Sequence, residues 1–366
     1  MKYLDEFRNL KIVQQVSRNI IKSASRKWNI MEICGGQTHS ILKYGLDQLV
    51  EEKINLIHGP GCPVCVTPAE VIDQAVELAL RKDTVLCCFG DMIRVPGNKI
   101  SLAGAKARGG NVKFFYSPLE SLDFAKKNPD KETIFFISGF ETTVPLSALL
   151  VLKARQEKIS NFSVLACHFL VPPAITALLQ TPDVQINGFL AAGHVCTITG
   201  FQAYLPIAER FKLPIVIAGF EPIDLILAME TCVDLLEKNQ NEVKNLYARS
   251  VKPEGNISAW ETVNKVFYVS DQDWRGLGII PSSGLKIRQE FADFDAEKKF
   301  TFSPSPKNEA TNCISGMILS GRLKPLNCPN FGTKCTPENP IGAPMVSNEG
   351  ACLAYFKYRA THNPLK

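Results

Sequence analysis

The sequence predicts an α/β protein: two similar parallel-sheet α/β domains flanking a cleft, followed by a smaller, irregular C-terminal domain. Three observations lead there. Short continuous apolar runs alternate with helical patterns through most of the chain, the pattern of parallel sheets covered on both faces. The pentapeptide Ile137-Ser-Gly-Phe-Glu141 returns as Ile217-Ala-Gly-Phe-Glu221, each copy ending an apolar run and preceding a helical pattern. After about Lys238 the helical patterns give way to Pro- and Gly-rich chain that ends in four spaced cysteines.

In chain order, Leu4, Phe7, Leu10, Ile12, Val13, Val16 and Ile20 recur on a rough helical period and predict an N-terminal amphipathic helix. Strand-like runs follow at 30–33, 54–58, 85–89, 112–116, 133–137, 163–168, 188–191 and 214–218, each bounded by Gly, Pro or a polar turn. Helical patterns alternate with them at 40–52, 68–81, 118–127, 144–157, 173–179, 202–211 and 221–238. One more strand is expected at 266–270. These elements divide into a first α/β domain over 28–132, a second over 133–240, and a third unit made of 241–366 joined by the N-terminal helix, 1–27.

Composition narrows the classes. A chain of 366 residues with 45% hydrophobic and 21% charged residues has the make-up of a globular protein of two or three domains. No apolar run approaches the ~20 residues that cross a bilayer. The N-terminus carries acids and no continuous apolar stretch, so no signal peptide is expected. The net charge of +5 is dispersed, with no basic cluster interleaved with aromatics, which argues against nucleic acid. Twelve cysteines without a signal peptide point to a reducing compartment, the cytoplasm, and to metal ligands, redox thiols or core residues.

Two motifs carry the clearest chemistry. In Glu32-Ile-Cys-Gly-Gly-Gln-Thr-His39, Cys34 ends a strand and precedes a helix, the edge where parallel sheets place reacting groups. The glycines permit close backbone approach, the helix N-terminus favours thiolate, and His39 is expected to share the site. In His58-Gly-Pro-Gly-Cys-Pro-Val-Cys65, Cys62 and Cys65 open a helix as a C-x-x-C pair, read here as a thiol–disulfide couple in preference to zinc. Cys87 and Cys88 are adjacent on a strand and read as core. Further strand ends bring Asp91, Glu141, His168 and His194 toward one sheet edge, candidates for a polar cleft between the two α/β domains.

The terminal cysteines Cys313, Cys328, Cys335 and Cys352 follow C-x14-C-x6-C-x16-C. The chain between them, 324–344, is too rich in Pro, Gly and Asn to hold itself by burial. Zinc sites use close pairs, and none is present, so the spacing suits an iron–sulfur cluster reaching ligands from separate loops.

At these residues the chain resembles a known family. Cys34-Gly-Gly-Gln-Thr-His39, Gly59-Pro-Gly-Cys-Pro-Val-Cys65, Gly90-Asp-Met-Ile-Arg-Val-Pro-Gly97, Gly139-Phe-Glu-Thr-Thr143, Ala192-Gly-His-Val195 and Pro344-Met-Val-Ser-Asn-Glu-Gly-Ala-Cys352 occur in that order. Together they resemble HypD, the hydrogenase formation proteins of [NiFe]-hydrogenase assembly, over nearly the whole chain. The resemblance implies a maturation scaffold more than a turnover enzyme. With the small chaperone HypC it would assemble an Fe(CN)2CO unit, taking cyanide from the HypE–HypF pair, and the unit would pass to the hydrogenase large subunit. It further implies that Cys34 binds the assembling Fe(II) with His39 in the same site. Cys62 and Cys65 would be a redox dithiol, and Cys313, Cys328, Cys335 and Cys352 would hold a [4Fe–4S] cluster. At Pro344, where some members carry a cysteine, this chain departs from the pattern. Two other readings compete: an iron–sulfur dithiol oxidoreductase acting on a small molecule, and a zinc-stabilised interaction module.

Overall fold

A computed structural model describes residues 5–183, 185–304 and 312–359. Eleven strands among the described residues form two sheets: β1 (Trp28–Glu32), β2 (Ile54–His58), β3 (Thr84–Cys88), β4 (Val112–Phe114), β5 (Glu132–Gly139), β6 (Phe162–Phe169), β7 (Gly188–Ala192), β8 (Ile215–Ala218), β9 (Val243–Asn245), β10 (Phe267–Trp274) and β11 (Gly278–Ile287). The five-stranded sheet has the order β2-β1-β7-β8-β9 and is parallel throughout. The six-stranded sheet has the order β10-β11-β6-β5-β3-β4; its last four strands are parallel, and β10 and β11 extend it antiparallel. The apolar runs form strands because both faces are covered: Ile134, Phe135, Phe136 and Ile137 on β5 are all fully buried.

The two α/β units are therefore not consecutive halves. β3, expected with β1 and β2, pairs instead with β5 and carries β4 on its other side. β7, expected with β5 and β6, pairs instead with β1 and carries β8 on its other side. The expected division at 132/133 cuts between β3 and its partner β5, because pairing is set by long-range packing and not by sequence order. The region after 240 is also more regular than expected. It adds β9 to one sheet, the β10–β11 hairpin to the other, and a helix over Ile257–Val266.

The N-terminal helix forms over Leu10–Ser23, started by the Asn9 side chain, which accepts the Lys11 N–H at 3.0 Å. It buries Val13, Val16 and Ile20 in the core of the five-stranded sheet, beside the helix Pro222–Glu237. Leu10 and Ile12 of the expected stripe are exposed, and Leu4 lies outside the described residues. This helix thus joins the α/β layer and not the C-terminal unit.

The C-terminal segment behaves as its composition requires: residues 324–345 hold two three-residue helical turns, at Pro325–Asn327 and Ala343–Met345, and one isolated bridge, Phe331 to Cys335. Its last helix, Ala351–Tyr358, packs on the helix Gly35–Lys43 through Leu42, Ala354 and Tyr355. Among the described residues no helix is long and apolar enough to cross a membrane.

Candidate functional site

Cys34 stands two residues beyond β1, as the residue that starts the helix Gly35–Lys43. Three chain segments meet there at backbone distance. The Gly35 N–H donates to the Gly61 carbonyl at 2.9 Å. A Cβ on Gly61 would lie 2.2 Å from the Cys34 nitrogen, and one on Gly35 would lie 2.3 Å from the Glu349 carbonyl oxygen. Only glycine fits at either position. The motifs around Cys34, Cys62 and Glu349, far apart in sequence, are one structure.

The loop is held from beneath by Glu32, which is fully buried. One carboxylate oxygen accepts the Cys34 N–H at 2.9 Å. The other accepts the Thr38 hydroxyl and lies 2.7 Å from His58 Nδ1. The far side of that ring, His58 Nε2, is 3.3 Å from the Tyr355 hydroxyl.

The Cys34 thiol is only 2% exposed. Burial holds it protonated, with a pKa well above the ordinary thiol range, against the Gln37 N–H that favours thiolate; Glu349 and Glu32 raise it further, and the Gly36 N–H opposes them. The helix N-terminus does not by itself make a thiolate here, contrary to the sequence expectation. The imidazole at this sulfur is His194, with Nδ1 3.8 Å from Cys34 Sγ and its ring tilted on Phe220 at 5.0 Å. His39, five residues along the helix and so about 140° around it, turns instead to Tyr358. Its Nε2 is 3.3 Å from that hydroxyl.

Cys62 and Cys65 are joined as a disulfide, and both are buried, at 2% and 0% exposure. They bracket the start of a short helix, Pro63–Val66. Ser138 at the end of β5 clamps this helix, with its hydroxyl 2.7 Å from that of Thr67 and donating to the Pro63 carbonyl at 3.3 Å. The dithiol segment, leaving one sheet, is thereby tied to the edge of the other.

Cys313, Cys328, Cys335 and Cys352 line a single cavity with Ile314, Ile318, Phe331, Ile341 and Met345. The Ile341 N–H donates to Cys335 Sγ at 3.4 Å. A Cβ on Gly342 would sit 2.3 Å from Cys313 Sγ. Burial and the three other thiols push the Cys352 thiol far up. Among the described residues no three His, Cys, Asp or Glu side chains converge as a group for one metal ion. The disulfide and this cavity share a boundary: Cys34, Cys62, Cys65, Ala343 and Val346 belong to one core cluster, and Pro344 and Met345 line the cavity.

Comparison with known proteins shows the family of the chain. A family model for HypD, described as the hydrogenase formation hypA family, matches residues 11–359. The chain belongs to the HypD family. It is 44% identical to the hydrogenase expression/formation protein HupD of Azotobacter chroococcum, over 98% of this chain and 97% of that one. It is 43% identical to the hydrogenase maturation factor HypD of Azotobacter vinelandii, over 98% and 97%. It is 42% identical to the Escherichia coli hydrogenase maturation factor HypD, over 98% of each chain.

In this HypD chain the other expected cleft residues disperse. Only His194 of the four reaches Cys34. Asp91, after β3, has its carboxyl raised by desolvation and acts on Cys88 and Glu349. Glu141 is 1% exposed: Oε1 accepts the Val171 N–H at 2.8 Å, Oε2 has no protein partner, and burial raises the group to about 7. Cys196 and Tyr204 are its neighbours. His168 is fully buried with its ring on Phe267 at 5.3 Å, and burial lowers it to about 4. Cys87 and Cys88 are core residues on opposite faces of β3, as expected, in different clusters. The sequence reading gave no role to Glu32, Phe220, Glu349 or Tyr355. A signal existed for Glu32, a lone carboxylate ending an apolar strand.

Proposed function

We propose that this chain is a hydrogenase maturation scaffold on which an Fe(CN)2CO unit is built, in complex with HypC and with cyanide delivered by HypE and HypF. The carrying observation is the convergence of the Cys34 loop and the buried Cys62–Cys65 pair in one core cluster that abuts the separate four-cysteine cluster along Ala343–Val346. Four thiols around an apolar cavity, with an amide N–H already directed at Cys335, are a donor set that fits a [4Fe–4S] cluster held by Cys313, Cys328, Cys335 and Cys352. When bound, such a cluster stores and delivers single electrons.

The chain's own residues then divide the work. Cys34 binds the incoming Fe(II), which must displace the thiol proton that burial retains. His194, neutral at pH 7 because burial lowers it to about 4, faces that sulfur as a hydrogen-bond acceptor. The Gly36 and Gln37 amides at the helix start give the sulfur fixed donors. Freeing cyanide from a protein thiocyanate consumes two electrons and two protons and yields a thiol and HCN, which gives up its proton on binding iron. Closing the Cys62–Cys65 dithiol to a disulfide releases those two electrons and two protons, so the form described here is the spent one. Because both sulfurs are buried, its reopening calls for electrons from inside the molecule.

The test is anaerobic co-purification with HypC followed by infrared spectroscopy. Bands in the metal-cyanide and metal-carbonyl window are expected in the wild type and absent in Cys34→Ala. Bands that persist in Cys34→Ala overturn the role given to Cys34.

A further inference from the structure

Outside the Cys34 site, one cation lies between the two sulfur-bearing segments. The turn joining β10 and β11 begins at Arg275, whose backbone N–H donates to the carbonyl of Val66, the residue after Cys65, at 2.8 Å. The next residue, Gly276, meets Gly316 backbone to backbone. A Cβ on Gly316 would be 2.1 Å from the Gly276 carbonyl oxygen, and one on Gly276 would be 2.8 Å from Gly316 Cα. Gly316 lies three residues beyond Cys313. The hairpin turn is thus wedged between the dithiol helix and the first cysteine of the ladder.

The Arg275 side chain is held there. Its Nη1 donates to the Pro96 carbonyl at 2.8 Å. Burial disfavours its charge, and the groups that favour it are Cys313, then Glu70 and Asp73. Both Asp73 oxygens also accept from Asn98. A guanidinium stays protonated through this degree of burial, so the charge is permanent.

We propose that Arg275 is a fixed cation that biases the centre at the four cysteines toward its reduced form. This rests on the reading of the ladder as a [4Fe–4S] site. Reduction adds one electron and no proton, so the site gains one negative charge. A permanent positive charge on the turn that packs against Gly316, three residues beyond Cys313, in a medium of low dielectric, lowers the energy of that added charge. The same turn, through Val66, keeps the dithiol segment next to the centre. Arg275 is a positioning and tuning residue, touching no substrate.

The test is a dithionite redox titration of the reconstituted full chain, followed by electron paramagnetic resonance of the reduced centre. In Arg275→Gln, at the wild-type midpoint, the reduced-to-oxidised ratio is expected to fall about tenfold, which for a one-electron couple is about 59 mV. Arg275→Lys, which keeps the charge, is expected to stay near the wild type. Glu70→Gln removes an opposing charge while leaving Arg275 in place, so its midpoint is expected to rise; it also serves if Arg275→Gln fails to fold. An unshifted midpoint in loaded Arg275→Gln, an equal shift in Arg275→Lys, or a fall in Glu70→Gln overturns the inference alone. A wild type that takes up no cluster overturns the reading of the ladder and this inference with it.

Discussion

Glu32 and His58 face each other in register across the parallel pair β1–β2, with the carboxylate 2.7 Å from the imidazole Nδ1 and both side chains buried. Each partner's other polar atom leads outward. Glu32 reaches the Cys34 N–H, and His58 reaches Tyr355, one helical turn beyond Cys352. A chain of buried hydrogen bonds therefore links the Cys34 loop to the helix that carries the last ladder cysteine. Glu32→Ala would strand the Cys34 N–H and His58 Nδ1 at once and leave the Thr38 hydroxyl only its 3.3 Å bond to the Cys34 carbonyl. We expect a loss on the order of 3–5 kcal/mol, since each buried polar group left without its partner costs about 1–3 kcal/mol, with a smaller loss in Glu32→Gln. Urea unfolding midpoints measure this, and an alanine variant within about 1 kcal/mol of the wild type would refute it.

Two glycines from the sequence motifs make opposite predictions. At Gly61 a methyl would press on the Cys34 backbone from 2.2 Å, and backbone has nowhere to go. At Gly90 an added Cβ meets nothing within 4 Å. Gly61→Ala should cost about 3 kcal/mol or more through overpacking, while Gly90→Ala should stay within about 0.5 kcal/mol of the wild type. Equal thermal midpoints for the two variants would show that the Cys34 loop and the dithiol loop are not in the contact described.

Burial of the disulfide sets its chemistry. Exchange needs an attacking thiolate in line with a sulfur, and Cys65 exposes no surface. External dithiothreitol should therefore leave Cys62–Cys65 closed in the folded protein for far longer than in urea, as read by alkylation and mass spectrometry. Dithionite treatment of the cluster-loaded chain should open it without unfolding. Rapid opening by dithiothreitol under native conditions would remove the argument for an internal electron source.

The strands of the two sheets were legible because a strand buried on both faces is a continuous apolar run, as on β5 and β8. Their partition was not legible. Nothing local tells β2 to pair with β1 and β3 with β5, since those choices depend on the packing of the whole. β9 was hidden by its length of three residues, and β11 by the Pro281 and glycine residues in its sequence. At the site, glycine motifs pointed correctly to close backbone approach. Proximity in sequence misled at His39, because a helix turns a residue five positions on away from its start, whereas His194 arrives from β7 by topology alone. The thiolate expectation weighed the helix terminus and omitted desolvation, which dominates at 2% exposure.

Two buried groups give opposite pH signatures. Glu141 holds its proton to about 7 when folded, against 4.5 ordinarily. Between those values the unfolded chain ionises while the native state does not, so this group's contribution to stability falls as pH rises from about 4.5 to about 7 and is constant above. His168 is lowered to about 4 from 6.5. There the unfolded chain gains a proton first, so stability falls as pH drops from 6.5 toward 4, and His194 acts in the same sense. Each change is on the order of 3 kcal/mol. Glu141→Gln cannot ionise and should gain on the wild type as pH rises through the first window. His168→Gln should gain on the wild type as pH falls through the second. Urea unfolding at pH 4.5, 5.5, 6.5 and 7.5 measures both differences. A Glu141→Gln difference that stays flat across that range would mean that the carboxyl reaches water in the folded state, and that Glu141 does not sit sealed beside Cys196 and Tyr204.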